Sequence, residues 1–151
     1  MTTIKPSYPQ EFNFYQPIDV RYSDIDTLLH VNNIAILEYV ETARTGYYKA
    51  SGIWDGVMTG GFGMVVASVK IDYLVSIQFG DKVRVGIRTG DLGRKSLRFQ
   101  FQVESEDGST AFARGEVVMV AYDHNEDHSR PVPEDWRVKL AQFEHNEELL
   151  A

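Results

Sequence analysis

The stretch that decides the fold is Asn33-Ile34-Ala35-Ile36-Leu37-Glu38-Tyr39-Val40-Glu41-Thr42-Ala43-Arg44-Thr45-Gly46-Tyr47-Tyr48-Lys49-Ala50. Ile34, Leu37, Val40, Ala43 and Tyr47 recur at helical spacing and predict a helix over 33–50 with that stripe inward. Asn32 and Asn33 suit its N-cap, and Gly52 closes it. Ile36, Tyr39 and Tyr48 add apolar surface off the stripe, which predicts a helix wrapped by other structure.

The surroundings supply the wrapping. Upstream, Phe12, Phe14, Ile18, Val20 and Tyr22 share one parity, and Pro17 marks an edge strand or a bulge. Downstream, after a link containing Gly56, Gly60, Gly61 and Gly63, four runs alternate with period two. They are Val65 to Tyr73, Lys82 to Arg88, Leu97 to Glu104 and Ala111 to Tyr122. The last is apolar on both faces toward its end, which suggests cover from a partner. Glu106-Asp107-Gly108-Ser109 reads as a hairpin turn, and Gly90-Asp91-Leu92-Gly93 as a longer one. Short connections make consecutive strands antiparallel, so the fold class is α+β: a sheet of five to six strands filled by one long helix. Residues 1–11 read as an extended arm and 12–123 as the core of a single domain. Residues 124–151 form a tail, with a peripheral helix over Asp135–Leu150 on a stripe of Trp136, Leu140, Phe143 and Leu150.

The 151 residues carry 15 Lys plus Arg against 22 Asp plus Glu, a formal charge of −7, which argues against nucleic acid as partner. No apolar run is long enough to span a bilayer, and Met1 to Pro6 shows no secretory signal, so no membrane association is expected. Zero cysteines exclude disulfides, thiolate nucleophiles and cysteine zinc sites. A reducing compartment, the cytoplasm, is the expected location. Positive charge is nonetheless concentrated at Lys82, Arg84, Arg88, Arg94, Lys95 and Arg98, where a small anion could dock; a solvated sheet face would look the same.

Chemistry concentrates in Arg21-Tyr22-Ser23-Asp24-Ile25-Asp26-Thr27-Leu28-Leu29-His30-Val31-Asn32-Asn33. Two carboxylates, an imidazole and two carboxamides precede a helix N-terminus, whose free N–H groups and dipole favour developing negative charge. A carboxylate there could deprotonate water or attack a carbonyl while those donors hold the oxyanion. Capping is the commoner role of such residues. Asp24, Asp26 and His30 match no specific metal spacing, so no metal is expected. Glu41 and Arg44 fit an i,i+3 ion pair, although Glu38 or Glu41 could instead serve as a second carboxylate. Gly60-Gly61-Phe62-Gly63 lacks the context of a phosphate loop. Ser23 and Ser96 lack that of a nucleophile elbow. His124 and His128 mark a solvated segment.

Three pieces of sequence, Asp24-Ile25-Asp26, His30-Val31-Asn32-Asn33 and Glu41-Thr42-Ala43-Arg44, closely resemble the hydroxybenzoyl-CoA thioesterase family of hot-dog proteins. Val69 to Ile77, Gly80 to Val83 and Leu92 to Leu97 agree in order, so the resemblance spans most of residues 12–135. It implies an acyl-CoA thioesterase that needs no metal or cofactor, with an antiparallel sheet curled around one helix. It implies Asp26 as base or nucleophile, the backbone N–H of Asn33 as oxyanion donor, and His30 and Asn32 shaping the pocket. It also implies a homodimer or tetramer with sites at the dimer interface. Arg94 and Lys95 are the plausible dock for the anionic coenzyme. Leu29 stands where the family signature has glycine, and Ile36 where an aromatic is common. A hot-dog hydratase or dehydratase on enoyl-CoA is the second reading, although its Gly-Asp-x-Asn-Pro context is missing. A non-catalytic acyl-binding module is the third, since fold does not fix function.

Overall fold

The computed structural model describes residues 11–54 and 61–151; all but residue 11 of the expected arm, together with Gly56 and Gly60, lies outside them. The elements are β1 (Phe14–Ile18), α1 (Asn33–Ser51), β2 (Phe62–Tyr73), β3 (Val83–Leu92), β4 (Ser96–Ser105), β5 (Ala111–Asp123), β6 (His128–Ser129) and α2 (Glu134–Glu144). One antiparallel sheet has the order β1-β3-β4-β5-β2, with β6 paired to the end of β5. The long helix α1 fills it, as the hot-dog resemblance implies. Pro17 does sit in an edge strand, since among the described residues β1 pairs only with β3.

The alternating strands bury the side they share with the helix. Val83, Val85 and Ile87 of β3 and Leu97, Phe99, Phe101 and Val103 of β4 are all buried. Tyr47 lies among them, its ring edge-on to Phe14, Phe99 and Phe143 at 5.9, 5.6 and 5.3 Å between centroids. Gly52 ends the helix in the left-handed region at φ 82°, its N–H donating to the Tyr48 carbonyl.

Four expectations need correction. First, the buried stripe of α1 is Ala35, Ile36, Tyr39, Val40, Ala43, Tyr47 and Tyr48, whereas Ile34 and Leu37 are 71% and 37% exposed. A helix apolar on most sides gives no unique phase, and the sheet covers the broader aromatic face. Second, β3 runs through Gly90, where the register shifts, and turns at Gly93-Arg94-Lys95. Third, α2 is not peripheral. Trp136, Leu140 and Ala141, followed by Leu149 rather than Leu150, join the same core. Glu144 locks the helix down by accepting from the Tyr47 hydroxyl at 2.5 Å and the Thr89 N–H at 3.1 Å. Fourth, the open apolar surface is on β2 rather than β5. Val66, Val69 and Tyr73 lie opposite the buried Met119, Val117 and Ala113, hence on the helix side of the sheet. They are nevertheless 41–49% exposed, because α1 lies chiefly against β1, β3 and β4.

Candidate active site

Between β1 and α1 the chain makes a short 3₁₀ turn, Tyr22–Asp24, and then a tight reversal. Ile25 bridges Val31, the Asp26 N–H donates to the His30 carbonyl at 2.9 Å, and the Leu29 N–H donates back to the Asp26 carbonyl at 3.0 Å. Leu29 closes this turn at φ 65°, in the left-handed region. A glycine would take that conformation without strain, which is the physical reason for one in the family signature. Bridges from His30 to Gln78 and from the Val31 N–H to the Ile77 carbonyl fix the turn to the segment following β2.

The helix cap is Asn32, not an aspartate. Its Oδ1 accepts from the Ala35 N–H at 2.7 Å, while its Nδ2 and its backbone N–H both donate to the Asp24 carbonyl, at 3.1 and 2.9 Å. Capping therefore occupies the Asn32 side chain. The N–H groups of Asn33 and Ile34, at the positive end of the helix dipole, have no acceptor among the described residues.

The two aspartates have different surroundings. Asp24 is buried at 4% exposure, and its Oδ2 accepts from the Tyr39 hydroxyl at 2.6 Å and the Arg21 N–H at 3.0 Å. Burial alone would raise its pKa. The bonds from Tyr39 and Arg21, with the Arg21 charge, outweigh burial and hold it below the usual carboxylate range. Tyr39 shifts up in response, by burial first and by the Asp24 bond second. Asp26 is exposed, and among the described residues its Oδ1 accepts only a local bond from the Leu28 N–H, at 2.9 Å.

Asp26, His30, Asn32 and Asn33 line one cleft of about 470 Å³. Its other walls are apolar: Leu28, Val31, Ile34 and Ile36 on one side, and Tyr73 to Val75 on the other. The Tyr73 hydroxyl reaches the Asn33 carbonyl at 3.3 Å. Tyr73, Leu74, Val75 and Ser76 were not singled out from the sequence. Their signal is an apolar run continuing beyond the alternating strand, and only the fold brings it beside the helix entrance.

Arg94 and Lys95 are not in this cleft. They form the β3–β4 turn, where Lys95 donates to the Ser129 hydroxyl at 3.1 Å and the Lys95 carbonyl accepts from the Ala121 N–H at 2.9 Å. Tyr73 pairs with Ala113, eight residues before Ala121 on β5, so about 26 Å of strand separates the two places. The basic strip is also partly neutralised: Arg98 pairs with Asp91 and Glu116, and Arg84 with Glu104. Neither Glu38 nor Glu41 lines the cleft, and Arg44 stands 3.8 Å from Glu41. No group of three or more potential metal-ligating side chains occurs among the described residues.

A curled antiparallel sheet around one long helix is the hot-dog fold, and here a carboxylate and free amides stand at the helix entrance. The thioesterase-like superfamily matches residues 20–140, and the chain belongs to that superfamily. It is a thioester hydrolase by that membership and by its structural relatives. A Thermus thermophilus thioesterase, solved in complex with coenzyme A and zinc, is 37% identical with a TM-score of 0.78, over 89% of this chain and 97% of that one. A putative thioesterase of Pseudomonas aeruginosa is 29% identical with a TM-score of 0.76, over 85% and 98%. The uncharacterized protein YsmA of Bacillus subtilis is 32% identical over 112 residues, 72% of each chain.

Proposed function

We propose that this chain hydrolyses an acyl-CoA thioester to the free acid and coenzyme A, with Asp26 as the working carboxylate. One observation carries the reading: an exposed carboxylate shares a cleft with the unsatisfied N–H groups that open α1. Asp26 either takes a proton from water or attacks the thioester carbon itself. The carbonyl oxygen gains charge as the tetrahedral intermediate forms, and the Asn33 N–H donates to it at the positive end of the helix dipole. Collapse of the intermediate expels the thiolate. With Asp26 as base, the proton taken from water passes to the thiolate, and the free acid and coenzyme A leave. With Asp26 as nucleophile, the acyl group stays on its carboxylate as an anhydride that a water hydrolyses, giving the free acid, restoring Asp26 and supplying the thiolate's proton. His30 lines the same cleft and borders the reacting group, and Asn32 contributes by holding the cap. The apolar walls accept the acyl group, and the reaction so written calls on side chains and backbone alone. The Thermus relative's complex with coenzyme A supports this choice of substrate.

The same reading makes the protein a homo-oligomer. A second copy would cover Val66 and Val69 on the exposed edge strand β2. Among the described residues no lysine or arginine lines the cleft, so a second copy would also supply the cations for the coenzyme's anionic end, with Arg94 and Lys95 as candidates. The test is a panel of acyl-CoA thioesters of graded chain length and aryl type, read by release of free thiol. Thiol release that disappears with Asp26→Asn bears the reading out. Silence across the panel, or a variant as fast as the parent, removes it.

A further inference from the structure

We infer that Asp24 and Tyr39 form a positioning device that sets the distance between the working carboxylate and the oxyanion donor; this rests on the proposed role of Asp26. Asp24 touches both halves of that apparatus. Its carboxylate takes the hydroxyl of Tyr39, a buried residue in the second turn of α1, at 2.6 Å. Its carbonyl takes two N–H groups of Asn32, the residue immediately before the Asn33 donor. Asp26 follows two residues later, at the start of the reversal that returns to Asn32. The carboxylate and the amide are therefore each at most two residues from a contact made by Asp24.

The strength of the bond suits that task. A tyrosine hydroxyl donating to a buried carboxylate is charge-assisted and short. The remaining supports are weaker or peripheral: Arg21 is mostly exposed, and its guanidinium stands 3.4 Å from Asp24 and 3.8 Å from Glu38. Without the Tyr39 hydroxyl, the 25–31 reversal stays attached to the sheet through Val31 and His30 and to the cap through Asn32, but loses its tie to the second turn of the helix, which sets the orientation of Asp24. A shift of about 1 Å between reacting groups can cost on the order of a hundredfold in rate. Asp24 and Tyr39 thus act through Asp26 and Asn33 and do not touch substrate.

The test uses Tyr39→Phe, which deletes one oxygen and keeps the ring, with Asp24→Asn and the double variant. For Tyr39→Phe, kcat should fall about ten- to a hundredfold while KM changes less than about threefold, at temperatures well below each variant's Tm. The double variant should be no slower than the slower single variant, because both remove one tie. Amide exchange at Leu29 and Asn32, the second of which donates to the Asp24 carbonyl, should quicken at least about tenfold in Tyr39→Phe, a readout that needs no turnover. A kcat within twofold of the parent, or unchanged exchange at these amides, overturns the inference. If the parent hydrolyses no thioester, the functional proposal fails and exchange alone decides the tie.

Discussion

Asp24 and Asp26 are two residues apart yet face different worlds: the first is buried under the hydroxyl of Tyr39, and the second stands in an open cleft with a single local N–H. Sequence spacing gives the two carboxylates equal standing. Their surroundings assign one to structure and leave the other free to react.

Substitution should separate those roles. Asp26→Asn should lower turnover by about 10²–10⁴-fold, the usual contribution of a positioned base, with Tm within a few degrees of the parent. Asp24→Asn should cost about 1–3 kcal/mol, because a buried charge-assisted bond becomes a mismatched one, and so lower Tm by about 2–12 °C. Paired thiol-release assays and thermal melts on both variants check this. An Asp26→Asn protein that loses only stability would return Asp26 to a capping role.

Leu29 pays for its left-handed backbone. An L-residue there costs about 1–2 kcal/mol, and a glycine gives back about 0.5–1 kcal/mol in chain entropy. Leu29→Gly should therefore stabilise the protein by about 0.5–1 kcal/mol, or about 1–4 °C in Tm. Because Leu29 is 72% exposed, no packing is lost. A melt showing destabilisation by more than 1 kcal/mol would mean the side chain has a contact that a single copy does not show.

Tyr48 is buried, and its hydroxyl finds no partner in good hydrogen-bond geometry among the described residues, although the Arg44 guanidinium lies beside it. Burial drives its pKa upward, against the opposing effect of the nearby Arg44 charge. The sign follows from linkage. The folded state keeps the proton, whereas the unfolded tyrosine loses it near pH 10. This stabilising share is complete below about pH 10 and drains at about 1.4 kcal/mol per pH unit as alkali rises toward the folded value. Tyr48→Phe should remove that slope and relieve the unpaired oxygen, gaining about 1 kcal/mol at pH 7. Urea unfolding at pH 7 and pH 11 reads both effects, and a Phe variant less stable at pH 7 would contradict the geometry.

Oligomerisation is open to a direct test. Val69 is 45% exposed on the helix side of an edge strand, so Val69→Glu changes no monomer contact of consequence. It should instead place a charge inside the proposed contact and shift the mass seen by light scattering to that of one chain. An unchanged oligomeric mass would move the interface elsewhere.

How much of this was legible in the sequence follows from which forces are local. The alternation of Leu97, Phe99, Phe101 and Val103 is dictated by a two-residue period, and all four side chains are buried. The helix was legible in extent but not in phase, because apolar residues around most of its circumference leave the inward face to be chosen by the sheet. Asp26, His30, Asn32 and Asn33 are neighbours in the chain, so their grouping was readable before any coordinates. The wall from Tyr73 to Ser76 arrives from 40 residues away and needs the topology. The charge of Arg98 was visible, but its neutralisation by Asp91 and Glu116 depends on strand register, which a list of residues does not contain.

The two margins of the sheet are chemically unequal. Along β1, Pro17 offers no N–H to a newcomer; along β2, Val66 and Val69 line a margin with no strand alongside among the described residues. Strand addition thus has one hospitable side per molecule, so two molecules joined there exhaust it. Growth by that route terminates at a pair and cannot propagate as a filament.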